Sequence, residues 1–120
     1  MSISETVEQL LLANQFKPAR VATKKKSSWV LPVTGQVFYI NRTSTNGASL
    51  FIFHPEKTSG VVAAVKTAGL DFNEAYYHSS NMSLFPRHMH RGVNPIPYGW
   101  SVNALDAARM QLLVKELAKA

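Results

Sequence analysis

The chain contains no cysteine, which excludes disulfides and thiolate-based metal or redox chemistry and fits a reducing compartment. Long apolar runs are missing as well. The longest, such as VFYI and LFIF, fall far short of the ~20 residues a membrane-spanning helix requires. The opening MSISETVEQ carries Glu5 and Glu8 but no basic residue, so no secretory signal is expected. Neither a phosphate-cradling glycine loop, a dinucleotide fingerprint nor a G-x-S-x-G nucleophile elbow occurs. These absences leave the expectation of a soluble, cytoplasmic protein with no cofactor and no membrane partner.

Acidic residues are few and unevenly placed. Seven Asp and Glu stand against 13 Lys and Arg, for a formal charge of +6. From Lys17 to Pro55 there are six basic residues (Lys17, Arg20, Lys24, Lys25, Lys26 and Arg42) and no acid, and none lies between Glu74 and Asp106. Stretches of one sign make a basic face if the fold brings them together, and phosphate-rich partners are the usual target. The alternative for Lys24, Lys25 and Lys26 is a solvated loop tip.

With 120 residues, 46% of them hydrophobic and only 17% charged, the chain is expected to form one domain over 1–120 with a real core. Ser2 and Glu5 have capping-box spacing, and Val7, Leu10 and Leu11 fall on one helical face, predicting a helix over 3–14. Trp29, Leu31 and Val33 then alternate as a strand, with Pro32 arguing for an edge. Thr34-Gly35 reverses the chain into a strand over 36–42, and a loop containing Asn46-Gly47 leads to a returning strand over 49–54. For 58–70 the alanines and Gly69 favour a helix over a strand. Short strands are expected over 72–77 and 98–102. The last helix starts near Asn103 and Asp106, with Met110, Leu113, Val114 and Leu117 on its apolar stripe and Leu105 and Leu112 widening it. The fold class is therefore α+β: an antiparallel sheet of four to five strands packed with N- and C-terminal helices.

The segment YYHSSNMSLFPRHMHRGVNPIPYGW, from Tyr76 to Trp100, concentrates the chemistry. It holds three of the four histidines (His78, His88, His90) together with Arg87 and Arg91. His88-x-His90 could share a metal ion with His78, but the flanking arginines and the lack of carboxylates oppose a cation. The same residues suit an anion better. Arginine offers a planar fork matched to phosphate, and Phe85, Tyr98 and Trp100 could stack on bases. The bland alternative is that the aromatics pin an irregular loop to the sheet. Histidine, arginine and tyrosine are also the types that metal-independent phosphodiester cleavage uses, although nothing fixes them around a scissile bond. Ser79 and Ser80 beside His78 do not make a triad. His54-Pro55 reads as the end of a strand.

Strands ending FYINR and FIFHP, a histidine-bearing segment, and PYGWSVNALDAARMQLLVKEL follow a short first helix. In that order of elements, and in Asn41-Arg42, His54-Pro55 and the turn at Gly99, the chain is similar to the small YgaC-like family of uncharacterised bacterial cytoplasmic proteins. The resemblance implies a cytoplasmic α+β fold and transfers no active site. The residues themselves point to a nucleic-acid- or phosphate-binding accessory protein using Arg87, His88, His90 and Arg91, with Lys24, Lys25, Lys26, Arg42, Tyr98 and Trp100 in support. A protein-interaction module is the alternative, and a small metal-independent nuclease ranks third.

Overall fold

The computed structural model describes residues 3–56, 58–89 and 95–120. Helix α1 spans Ile3–Ala13. It closes by a Schellman arrangement, in which Gln15 takes φ +66° and the Phe16 and Gln15 N–H groups donate to the Leu11 and Leu12 carbonyls. Phe16, buried, then pins the exit of the helix to the core. Strands β1 (Lys17–Pro18), β2 (Lys26–Val30), β3 (Val37–Asn41) and β4 (Phe51–Phe53) follow as a meander. Helix α2 (Ser59–Thr67) starts where the Thr58 hydroxyl accepts the Val61 N–H, and it ends with Gly69 at φ +72°. Donation from Gly69 and Leu70 to the Lys66 and Val65 carbonyls completes the cap, a left-handed position that glycine occupies without Cβ strain. Strands β5 (Phe72–His78), β6 (Arg87–Met89) and β7 (Pro95–Val102) precede α3 (Ala107–Leu117), whose first turn is capped by Asp106.

All pairings are antiparallel. Six strands run in the order β1-β2-β3-β4-β7-β5, and β6 pairs with the first residues of β7. The α+β class holds, with more strands than the four to five expected. The additional ones, β1 and β6, are two and three residues long, too short for an alternating pattern to show. Pro32 lies beyond the end of β2, and β1 covers that strand by pairing Lys17 with Val30, so β2 is not the edge that proline suggested.

Alternate residues of a strand face opposite sides of a sheet, and here the two sides are covered differently. Trp29, Phe38, Ile40, Phe51, Phe53 and Val102 meet the three helices through Val7, Leu11, Val61, Val65, Met110, Leu113 and Leu117. On the other side Tyr39 and Ile52 pack under Met82 and Phe85, from the irregular segment that joins β5 to β6. Gly99 sits where this segment comes closest to the sheet. A Cβ there would lie 2.4 Å from the Phe53 carbonyl oxygen and 2.8 Å from the Phe85 ring, so only glycine fits. Leu105 and Leu112 are 63% and 38% exposed and do not join the stripe of α3. Leu105 precedes the helix, and Leu112 points away from the stripe that Leu113 occupies. No helix among the described residues is long and apolar enough to cross a membrane.

Candidate anion-binding cleft

The first strands of the hairpin place Lys26 opposite Asn41, and β5 places Tyr77 near both. Lys26 is not a loop-tip lysine like Lys24 and Lys25. Thr23 turns the chain with its hydroxyl, which accepts the Lys25 and Lys26 N–H groups, and Lys26 thereby begins a strand and is 4% exposed. Its ammonium donates to Asn41 Oδ1 at 3.2 Å and stands 5.4 Å from the centre of the Tyr77 ring. The Asn41 amide donates in turn to the Tyr77 hydroxyl at 3.2 Å, while its Oδ1 also accepts from the Thr43 N–H and hydroxyl. Burial, and secondarily the Lys25 charge, lower the Lys26 pKa. Burial raises that of Tyr77 against the opposing pull of Asn41, keeping the phenol neutral.

Above this floor opens a cleft of about 450 Å3. Lys25, Thr43, Ser79, Ser80 and Asn81 border it together with His78, whose ring turns to Tyr98, and no carboxylate lines it among the described residues. The 79–82 turn forms one wall. Its Met82 N–H donates to the Ser79 carbonyl, and the buried Met82 side chain holds it to the sheet. The arrangement is a set of fixed hydrogen-bond donors with two ammonium groups, suited to an anion. A larger groove of about 630 Å3, near Phe16, Pro18, Leu31 and Pro32, is mainly apolar, with Lys17 its only titratable residue among those described.

The structure separates residues that the sequence analysis grouped. Arg42 lies on the helix-covered side, with Nε and Nη2 on the Glu8 carboxylate at 2.9 and 3.2 Å and Nη1 on the Thr23 carbonyl. The same carboxylate accepts from Ser27, whose oxygen accepts from the Trp29 indole. Tyr98 and Trp100 sit with Tyr76 in an aromatic panel, ring centres 4.7 and 4.3 Å from Tyr76. The panel lies on the face of β5 and β7 opposite to Tyr77, and His78 stacks on Tyr98 at its margin, 6.0 Å away. The Trp100 indole donates to the Pro55 carbonyl. Phe85, by contrast, does pin its loop, meeting Tyr39 edge-on at 4.8 Å. The Arg87 and His88 backbone belongs to β6; their side chains, with His90 and Arg91, lie outside the described residues.

Sequence reasoning missed Thr43, Tyr77 and Asn81 as cleft residues. The available signal was alternation, because in Tyr76-Tyr77-His78 the middle residue must face away from its neighbours. Among the described residues no three histidine or carboxylate side chains gather as metal ligands. No protein-family model matches the chain, and no curated protein matches it significantly.

Proposed function

We propose that the protein binds nucleic acid or another phosphate-bearing polyanion, with Lys25 and Lys26 as its cationic contacts. The observation that carries this reading is the carboxylate-free cleft over the Lys26–Asn41–Tyr77 network. A buried ammonium is costly unless a counter-charge joins it, and the cleft leaves room for an external one. Lys24, Arg87, His88, His90 and Arg91 belong to the proposal as additional phosphate contacts, Tyr98 and Trp100 as stacking surfaces, and kinship with the YgaC-like family as its cytoplasmic setting. Arg42 contributes less, because its guanidinium is already paired with Glu8.

Binding of mixed single-stranded oligonucleotides, followed across a salt series, tests this. Two neutralised phosphates give a slope of log affinity on log salt of roughly −1.4, and further contacts steepen it. Absence of binding at low salt, or affinity indifferent to salt, rejects the proposal. A protein-interaction role is the second reading. It is favoured by the position of β5 at the end of the strand order and by Tyr76, 41% exposed, and it predicts strand addition along β5 with no nucleic-acid affinity.

A further inference from the structure

We infer that the cleft receives the terminal phosphomonoester of a nucleic-acid strand rather than the diester backbone along its length. This rests on the nucleic-acid reading above and narrows it to one chemical group.

The donors are concentrated for a single group. Lys25, Lys26, Tyr77, Ser79, Ser80 and Asn81 all border one cleft of about 450 Å3, large enough for a phosphate and the sugar that bears it. A diester offers one charge and two non-bridging oxygens. A monoester has a second pKa near 6 and carries close to two charges on three oxygens at neutral pH. Two ammonium groups on adjacent residues match the latter.

The floor is already in place for such a group. Lys26 spends one of its three N–H bonds on Asn41 Oδ1 at 3.2 Å, leaving two. The Tyr77 hydroxyl accepts from Asn41 at 3.2 Å and retains its own hydrogen to donate. Asn41 is itself held by Thr43, so these donors need little reordering when a ligand arrives.

A strand tracked along its backbone needs cations in a row and rings to stack its bases. Two described arginines that could extend such a row beyond the lysines are already engaged. Arg42 is engaged by Glu8 and the Thr23 carbonyl, and the Arg20 guanidinium donates to Ser83 at 3.2 Å. The Tyr76–Tyr98–Trp100 panel lies across the sheet from the cleft. Tyr77, a ring that lines the cleft, carries the Lys26 ammonium over its face. Charge is thus placed to recognise an end, with little selection among bases.

The test uses the full chain and short single strands of one sequence, labelled at the opposite end, carrying a 5′-phosphate, a 3′-phosphate or hydroxyls only. Fluorescence anisotropy should show one phosphorylated end binding at least about tenfold tighter than the hydroxyl strand, the scale of a charge-assisted contact. Lys26→Met should abolish that gain, as should Lys25→Ala, whose exposed side chain can be removed without risk to the fold. Equal, salt-sensitive affinity for all three strands overturns end recognition while the nucleic-acid reading stands. No binding by any strand at low salt removes both. A mononucleotide that binds as tightly as the phosphorylated strand overturns the strand-end assignment in favour of free nucleotides. A phosphoserine peptide competing equally well overturns the nucleic-acid class.

Discussion

Lys26 and Arg42 leave the same corner of the sheet on opposite sides. The Arg42 N–H donates to the Lys25 carbonyl at 2.8 Å, and Asn41 is the register partner of Lys26. On the helix side, α1 delivers Glu8 to Arg42 at 2.9 Å, and Ser27 and Trp29 complete the network. On the loop side, the Lys26 ammonium has an amide oxygen and a ring face but no carboxylate. A cation that the fold has neutralised is structural. One kept nearly buried beside an open cleft, without an anion of its own, sits where an incoming anion adds most. The two coverings differ accordingly: three helices bury a large apolar face, whereas the 79–86 segment buries a few side chains and leaves a polar opening beside them.

The comparison is broken most severely at Gly99, where the loop covering presses on the sheet. Gly99→Ala forces a methyl against the Phe53 carbonyl oxygen and the Phe85 ring, and backbone cannot yield as a side chain does. We expect a loss of about 3 kcal/mol, the upper range for overpacking, read from the denaturant midpoint. A loss under about 1 kcal/mol would show that the loop lifts away freely and would remove the basis for a preformed cleft wall. Next in size is Glu8→Gln, which strips the charge from the helix-side network. The side chains of Arg42 and Glu8 are 34% and 12% exposed, between a surface pair worth up to about 1 kcal/mol and a buried pair costing 3–5 when broken. A loss of about 2 kcal/mol follows, with oligonucleotide affinity unchanged. Weakened binding in a well-folded Glu8→Gln protein would contradict the assignment of that side to structure.

These two sites also show what was legible in the sequence. The strands around Phe38 and Phe51 were marked by the Thr34-Gly35 reversal and the Asn46-Gly47 loop, since both of their faces are buried and apolar. The alternation of Trp29, Leu31 and Val33, by contrast, runs past the end of β2 at Val30. The helix over 58–70 was marked by its alanines and Gly69, and the closing helix by the spacing of Met110, Leu113, Val114 and Leu117. Lys26 was hidden because a lysine triplet reads as solvent-facing by composition, while its burial depends on the Thr23 turn and on Asn41 fifteen residues away. Arg42 was hidden for the converse reason, since its partner Glu8 lies 34 residues earlier. Tyr98 and Trp100 were close to the basic residues in sequence, yet strand alternation sends them to the other face from Tyr77. The sequence could supply residue types for a site. Which of them share a face was decided by long-range register.

Lys26→Met separates function from stability on the loop side. Methionine keeps most of the apolar stem over the Tyr77 ring, and Asn41 Oδ1 keeps its two bonds from Thr43, so no buried acceptor is left alone. The burial that lowers the Lys26 pKa is a penalty on its charged form. Its removal should leave stability within about 0.5 kcal/mol of the parent, or raise it slightly, while affinity for oligonucleotides falls about tenfold. The wild-type chain should also gain stability as pH rises toward the ordinary lysine range, because the unfolded chain holds that proton longer. A large destabilisation with binding retained would make Lys26 a structural residue and reverse the contrast with Arg42.

The smallest effect is expected at His54, at the apolar end of the loop-covered face. Its ring meets Phe85 edge-on at 5.5 Å, and Nδ1 accepts the Glu56 N–H at 3.0 Å. Burial lowers its pKa from the ordinary 6.5, with Glu56 opposing the shift. The lowered value means that the unfolded chain binds the proton more readily than the folded one. The sign therefore follows: this contribution to stability is complete above about pH 6.5 and is lost as pH falls toward the folded value. Protonation would also place a donor on Nδ1 against the Glu56 N–H, which acts in the same direction. His54→Gln should flatten the acid limb of the stability profile slightly, without altering the neutral-pH cleft or its affinity for phosphate. A profile in which the variant loses stability on acidification as steeply as the parent would show that the loop-covered face admits charge near Phe85 at no cost. The distinction between its apolar end and its polar cleft would then lose its physical basis.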